Sequence, residues 1–169
     1  MRVIFLFSLF FGVLSAKSQD NFSEKLMLMG NQFEITVVAE NKDSASVLIG
    51  LAVEEIKRIE SLISSWDKLS QTSLINRNAG LFAVKVDLEL YNLISRSIAI
   101  SQLTDGAFDI TFASMEGVWV FDGTMTSFPL KSEIEKFLSK VGYENIVLDD
   151  ENHTVFLKNK GMKISFGGI

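Results

Sequence analysis

The sequence predicts an α+β fold, a single mixed domain of strands and packed helices. Two observations carry this. Segments rich in β-branched residues with a period of two alternate along the chain with segments of helical period. Hydrophobic residues make up 47% of the 169 positions, and no low-complexity linker, repeat or block of like charge follows Asn21, so a core can form without division into separate pieces.

The first residues stand apart from that domain. Arg2 precedes an apolar run from Val3 to Leu14, and the small, polar stretch Ser15-Ala16-Lys17-Ser18-Gln19 follows. This is the pattern of a secretory signal peptide over residues 1–18, with cleavage expected between Ser15 and Gln19. The run is shorter than the ~20 residues that a membrane-spanning helix needs. The alternative, an N-terminal anchor that keeps the protein at the membrane, lacks a basic stop-transfer cluster after it. Loss of the leader takes Arg2 and Lys17 from the 16 basic residues, leaves all 21 acidic ones, and moves the net charge from −5 to −7. So acidic a surface argues against nucleic acid as a partner. The absence of Cys excludes a disulfide framework, a thiolate metal site and a lipid-bearing cysteine. The expected product is an exported protein, soluble on the periplasmic side.

Within residues 19–169, Gln32 to Glu40 carries Phe33, Ile35 and Val37 on one face and reads as a strand. Asp43 or Ser44 is placed to cap a helix running to about Ser64, whose Ile49, Ala52, Ile56, Ile59 and Ile63 repeat at helical spacing. Ser65 to Gly80 is polar and reads as a long loop with at most one helical turn. Phe82 to Val86 reads as a short strand, and Asp87 caps a helix with Leu90, Leu93, Ile94 and Ile98 on one face. Ser132 and Glu135 have capping-box spacing for a helix that stops at Gly142. Strands are expected at Asn145 to Leu148, Thr154 to Leu157 and Met162 to Phe166, the last running into Gly167-Gly168-Ile169.

The sequence contains no Cys-His pair, nucleophile elbow, HExxH or Walker loop. His153, the one histidine, ends an acidic turn and reads as a turn residue. Four segments need a further account. Met29-Gly30-Asn31 opens a strand, where a glycine lets backbone approach a neighbour; an ordinary turn explains it equally. Ser70 to Asn76 follows a loop aromatic, Trp66, which either stacks on a flat ligand or closes a helix end against the core. Thr104-Asp105-Gly106-Ala107-Phe108-Asp109-Ile110-Thr111 puts small residues beside backbone N–H groups, and sets Asp109 in an apolar run where its carboxylate needs donors. Asp109 could also simply cap a neighbouring helix. The fourth is Ile164 to Ile169.

Together, in this order and spacing, the four segments resemble the ApbE family of flavin transferases. The family's Thr-x-Gly-Ala-Phe-Asp-x-Thr signature stands complete from Thr104 to Thr111. Its Met-Gly-Thr opening is similar to Met29-Gly30-Asn31, its Ser-Glu-x-Ser-x-x-Asn to Ser70 to Asn76, and Val118-Trp119-Val120-Phe121, Val141-Gly142-Tyr143 and the final Gly-Gly-Ile also match. Asn31, Gln71 and Trp66 depart from the usual Thr, Glu and Tyr. The resemblance implies an ApbE-like (T-fold-like) fold and a cleft where FAD meets Met29, Trp66, Ala107, Phe108 and Asp109.

It also implies Mg²⁺-dependent transfer. A Thr hydroxyl of an acceptor protein, expected to be a subunit of a membrane redox complex, attacks the FMN-side phosphorus of FAD, and AMP leaves. The family's magnesium ligands follow the Gly-Gly-Ile motif, so they are expected beyond residue 169; the chain reads as the N-terminal part of the catalytic unit, with no metal site and no assignable catalytic residue of its own. Two alternatives stay open: Mg²⁺-dependent FAD hydrolysis, with water in place of the Thr hydroxyl, and a non-catalytic flavin-binding or partner-binding remnant.

Overall fold

The computed structural model of the chain describes residues 19–119 and 127–167. The expected leader and the motif positions Val120, Phe121, Gly168 and Ile169 lie outside the described residues. The described elements mix strands and helices, as expected, and the chain divides into two compact units, one ending at Glu54 and one beginning at Glu55.

The first unit is built on an antiparallel hairpin of β1 (Asp20–Leu28) and β2 (Asn31–Ala39). Its register pairs Phe22 with Val37 and Leu26 with Phe33, so the apolar side chains share one face and Ser23, Lys25, Glu34 and Thr36 share the other. Met29 and Gly30 form the two-residue turn with φ of 51° and 74°, the left-handed pair that suits a right-twisted hairpin. Sequence reasoning found β2 and missed β1, because Glu24 breaks the apolar alternation of that strand. Helix α1 (Lys42–Ile63) begins in this unit and buries Ala45 and Ile49. Its cap is Asn41, whose Oδ1 accepts from the Ser44 N–H at 2.9 Å, and not Asp43 or Ser44 as expected.

The second unit packs helices on a three-stranded antiparallel sheet with the order β3 (Val84–Lys85), β5 (Thr154–Leu157), β4 (Ile146–Asp149). Val155 and Leu157 of the central strand are buried with Leu90 and Ile94 of α3 (Leu88–Leu103) and Ile75 of α2 (Gln71–Arg77). The long loop expected at Ser65 to Gly80 therefore contains a seven-residue helix. Ser70 caps it by accepting from the Ser73 N–H at 3.0 Å. Helix α4 (Lys131–Leu138) is shorter than expected and lacks the Ser132–Glu135 box; the Glu133 carboxylate instead accepts from the Leu130 N–H at 3.0 Å, one position earlier. Short 3-10 turns at Ile110–Met115 and Tyr143–Asn145 were not foreseen.

Met162 to Phe166 alternates as a strand should, with Met162, Ile164 and Phe166 buried, yet it joins no sheet. Side chains replace the ladder. Asn76 Nδ2 donates to the Ile164 carbonyl at 2.9 Å and Asn76 Oδ1 accepts from the Ile164 N–H at 2.8 Å, while Ser114 Oγ accepts from the Lys163 N–H at 2.9 Å. An amide side chain carries one donor and one acceptor, like a peptide unit, and so stands in for a neighbouring strand.

His153 is the turn residue expected, with a φ of 51° and its ring 5.5 Å from that of Tyr91. Tyr91, itself buried, donates its hydroxyl to Asp150 at 2.5 Å. Burial first, and then the bond to Asp150, push the Tyr91 hydroxyl up to about 12. The folded value lies above the ordinary value of about 10, so the stability that this shift contributes is complete below pH 10 and is lost as pH rises through 12. The thermal unfolding midpoint is expected to fall over that window, and Tyr91→Phe to remove this part of the fall; an identical alkaline profile in the variant would contradict the assignment.

Candidate functional site

The signature segment begins where α3 ends. Thr104 Oγ1 donates to the Ile100 carbonyl at 2.9 Å, which satisfies a helix-terminal acceptor, and accepts from the Phe108 N–H at 3.2 Å. Asp105 and Gly106 take left-handed backbone, φ 50° and 77°, so the chain reverses. The N–H groups of Gly106 and Ala107 donate to the Ser101 carbonyl at 2.8 Å and the Thr104 carbonyl at 3.0 Å. The backbone N–H groups expected to face a ligand are thus used within the turn. No described hydrogen bond uses the Ala107 carbonyl, which leaves it as that residue's backbone group for a ring edge.

Asp109 ties the turn to the rest of the unit. Its Oδ1 accepts from the Thr111 N–H at 2.8 Å and the Thr111 hydroxyl at 2.7 Å, and its Oδ2 accepts from the Tyr143 N–H at 2.9 Å. Thr111 Oγ1, fully buried, accepts in turn from the Gly142 N–H at 2.7 Å. Asp109 caps the Ile110–Met115 turn, the structural alternative left open above. A carboxylate has about four acceptor positions, so roughly one remains on Oδ2 for a ligand donor. The same knot explains why Thr104 to Thr111 and Val141 to Tyr143 occur together: one segment accepts what the other donates.

Ala107, Phe108 and Asp109 line a cavity of about 440 Å³ with the half-exposed Phe112. Trp66 lines a second cavity, of about 560 Å³, and stands 83% exposed. It does not close the end of α1 against the core. Ala113 and Ser165 border both cavities, so the two are neighbours. Their size is that of pockets which take a nucleotide-sized ligand. Met29 belongs to the other unit, half-buried at the turn of its hairpin.

The Ser70 to Asn76 segment does structural work that sequence reasoning did not assign. Thr72 Oγ1 donates to the Leu62 carbonyl at 2.8 Å, and Ser73 Oγ and Ser70 Oγ donate to the Ser64 carbonyl, so the segment satisfies the last carbonyls of α1 just before Trp66. Gln71 pairs with the Asp87 carboxylate through Nε2 and accepts from the Asp87 N–H at 2.8 Å through Oε1. A Glu at this position, as in the family pattern, has no donor for Asp87 and repels it. Serine spacing marked α2, but the partners that the segment reaches lie ten or more residues away.

Comparison with known proteins agrees with this architecture. The chain is 28% identical to the FAD:protein FMN transferase of Klebsiella pneumoniae over 88% of its own length and 46% of the relative's, and 27% identical to that of Buchnera aphidicola over 99% and 50%. Its structure superposes on the crystal structure of the ApbE protein from Thermotoga maritima with a TM-score of 0.75 and 34% identity, covering 89% of this chain and 48% of that one. The flavin transferase ApbE from Vibrio cholerae, 17% identical, shares the fold with a TM-score of 0.71 over 88% of this chain and 48% of its own. The chain spans about half the length of the relatives it matches. With the ApbE family model matching residues 29–169, the protein belongs to the ApbE family.

Proposed function

We propose that this chain holds FAD for transfer of its FMN part to a Thr hydroxyl of an acceptor protein, the Thr O–P bond forming as the P–O bond to AMP breaks. The reading rests on the pair of adjoining cavities, one lined by Ala107, Phe108 and Asp109 and the other by Trp66. In it the exposed indole of Trp66 covers a ring face, the Ala107 carbonyl meets a ring edge, and the free position on Asp109 Oδ2 accepts from a ring or ribose donor. Met29 completes the contact set by family resemblance. The leader places the protein on the periplasmic side, where the acceptor is a subunit of a membrane redox complex.

Transfer in this reading depends on Mg²⁺, which offsets charge at the phosphates when bound. Among the described residues no three His, Asp or Glu side chains converge as a metal site, so the residues present do not fit the ion. The purified 169-residue chain is therefore expected to transfer no FMN to a Thr-bearing acceptor, and to release no AMP from FAD, with or without magnesium. Release of AMP and covalently bound flavin are the quantities to follow. Magnesium-dependent AMP release by the chain alone, in a preparation free of host enzyme, would overturn this assignment of the metal.

A further inference from the structure

The cavity beside Trp66 carries charge that the flavin reading has not used. Lys68, Arg77 and Lys163 line it against one carboxylate, Glu116, in a chain whose net charge is −5. Lys163 Nζ meets Glu116 Oε2 at 2.5 Å, with each side chain about half exposed, at 46% and 48%. A pair so open to water is weak and exchanges readily. Arg77 Nη1 donates to the Lys68 carbonyl at 2.5 Å, and no carboxylate lies within ion-pair distance of Lys68 or Arg77 among the described residues.

The three cations are held from different directions. Arg77 is the last residue of α2 and is fixed to the Trp66 to Ser70 turn through its bond to Lys68. Lys163 sits on the buried segment whose backbone Ser114 and Asn76 hold. Between them, Ser65 and Ser165 bring their hydroxyl oxygens to 3.4 Å of each other, and Ser165 borders the neighbouring cavity as well. A surplus of two positive charges, two hydroxyls and an open indole in one concavity match a ligand that joins a flat ring to a phosphate chain.

We infer that Lys68, Arg77 and Lys163 form a diphosphate-holding cluster, which makes this chain select phosphate-bearing flavin nucleotide through its own charges. This rests on the flavin reading above and deepens it. Lys163 is the member that switches partner: its ammonium leaves Glu116 for a phosphate oxygen, and Ser65 and Ser165 supply neutral donors at the junction. Salt weakens such contacts, since they form at an exposed surface.

The test is titration of the full chain with FAD, for the unmodified protein and for Lys68→Glu, Arg77→Glu and Lys163→Glu, at low and at physiological ionic strength. Each substitution is expected to weaken FAD binding by about tenfold, with Lys163→Arg close to the unmodified chain, and to flatten the salt dependence. Thermal unfolding midpoints should stay unchanged, because all three side chains are exposed. FAD affinity within twofold of the unmodified chain in all three variants would overturn the cluster and leave the flavin reading intact. No FAD binding by the unmodified chain would overturn both. A loss of affinity matched by a loss of fold would assign these residues to structure and also overturn the proposal.

Discussion

Asp109→Ala is expected to destabilise the fold by about 3 kcal/mol, since it strips three hydrogen bonds from one charged acceptor and leaves inward-facing donors unpaired. The donors are the Thr111 N–H, the Thr111 hydroxyl and the Tyr143 N–H. Asp109→Asn separates the parts of that cost. Its oxygen can still serve both Thr111 donors, but its amide then faces the Tyr143 N–H, so a smaller loss of about 1.5 to 3 kcal/mol is expected. Chemical denaturation of the two variants measures both. If neither variant is destabilised by more than ~0.5 kcal/mol, the Asp109–Thr111–Tyr143 knot does not organise this segment. Where Asp109→Asn remains folded, FAD affinity should fall as well, because the remaining acceptor position on Oδ2 is lost with the charge.

Asn76→Asp should be almost as costly, at about 2 to 3 kcal/mol, although it changes no side-chain shape. The new carboxylate accepts from the Ile164 N–H as Asn76 does, but its other oxygen points at the Ile164 carbonyl, where Asn76 donates at 2.9 Å. Two acceptors then meet. The segment from Met162 to Phe166 has no sheet partner to compensate, and its amide exchange should rise with the loss of stability. Native-like protection of Lys163 to Ser165 in the variant would show that burial of Met162, Ile164 and Phe166 holds the segment without the amide clamp.

These two positions also mark what the sequence could and could not disclose. Apolar spacing located α1, α3, β2, β4 and β5 to within a residue or two at most ends, because each buries one face and that face is periodic. It failed where partners are distant. Strand β1 is hidden by Glu24 on its inner face, and the alternation of Met162, Ile164 and Phe166 gave no sign that its hydrogen bonds go to side chains. The octapeptide Thr104 to Thr111 was visible as an oddity, but the donors for Asp109 come from its own turn and from Tyr143, 34 positions along the chain. Trp66 was legible as a loop aromatic, and only coordinates distinguish an exposed indole from a buried one. The cationic side chains around it are scattered over residues 68, 77 and 163, with no motif to join them.

The account's central claim is that FAD lies across the adjoining cavities of the second unit. Amide hydrogen exchange of the full chain, with and without saturating FAD, tests it most directly. FAD is expected to slow exchange in the turn around Ala107 to Asp109 and in the segment from Ser65 to Leu69, with little effect on β4 and β5 at the far side of the sequence pattern. Saturable FAD binding that protects neither segment, or no change in exchange anywhere at saturating FAD, would contradict it.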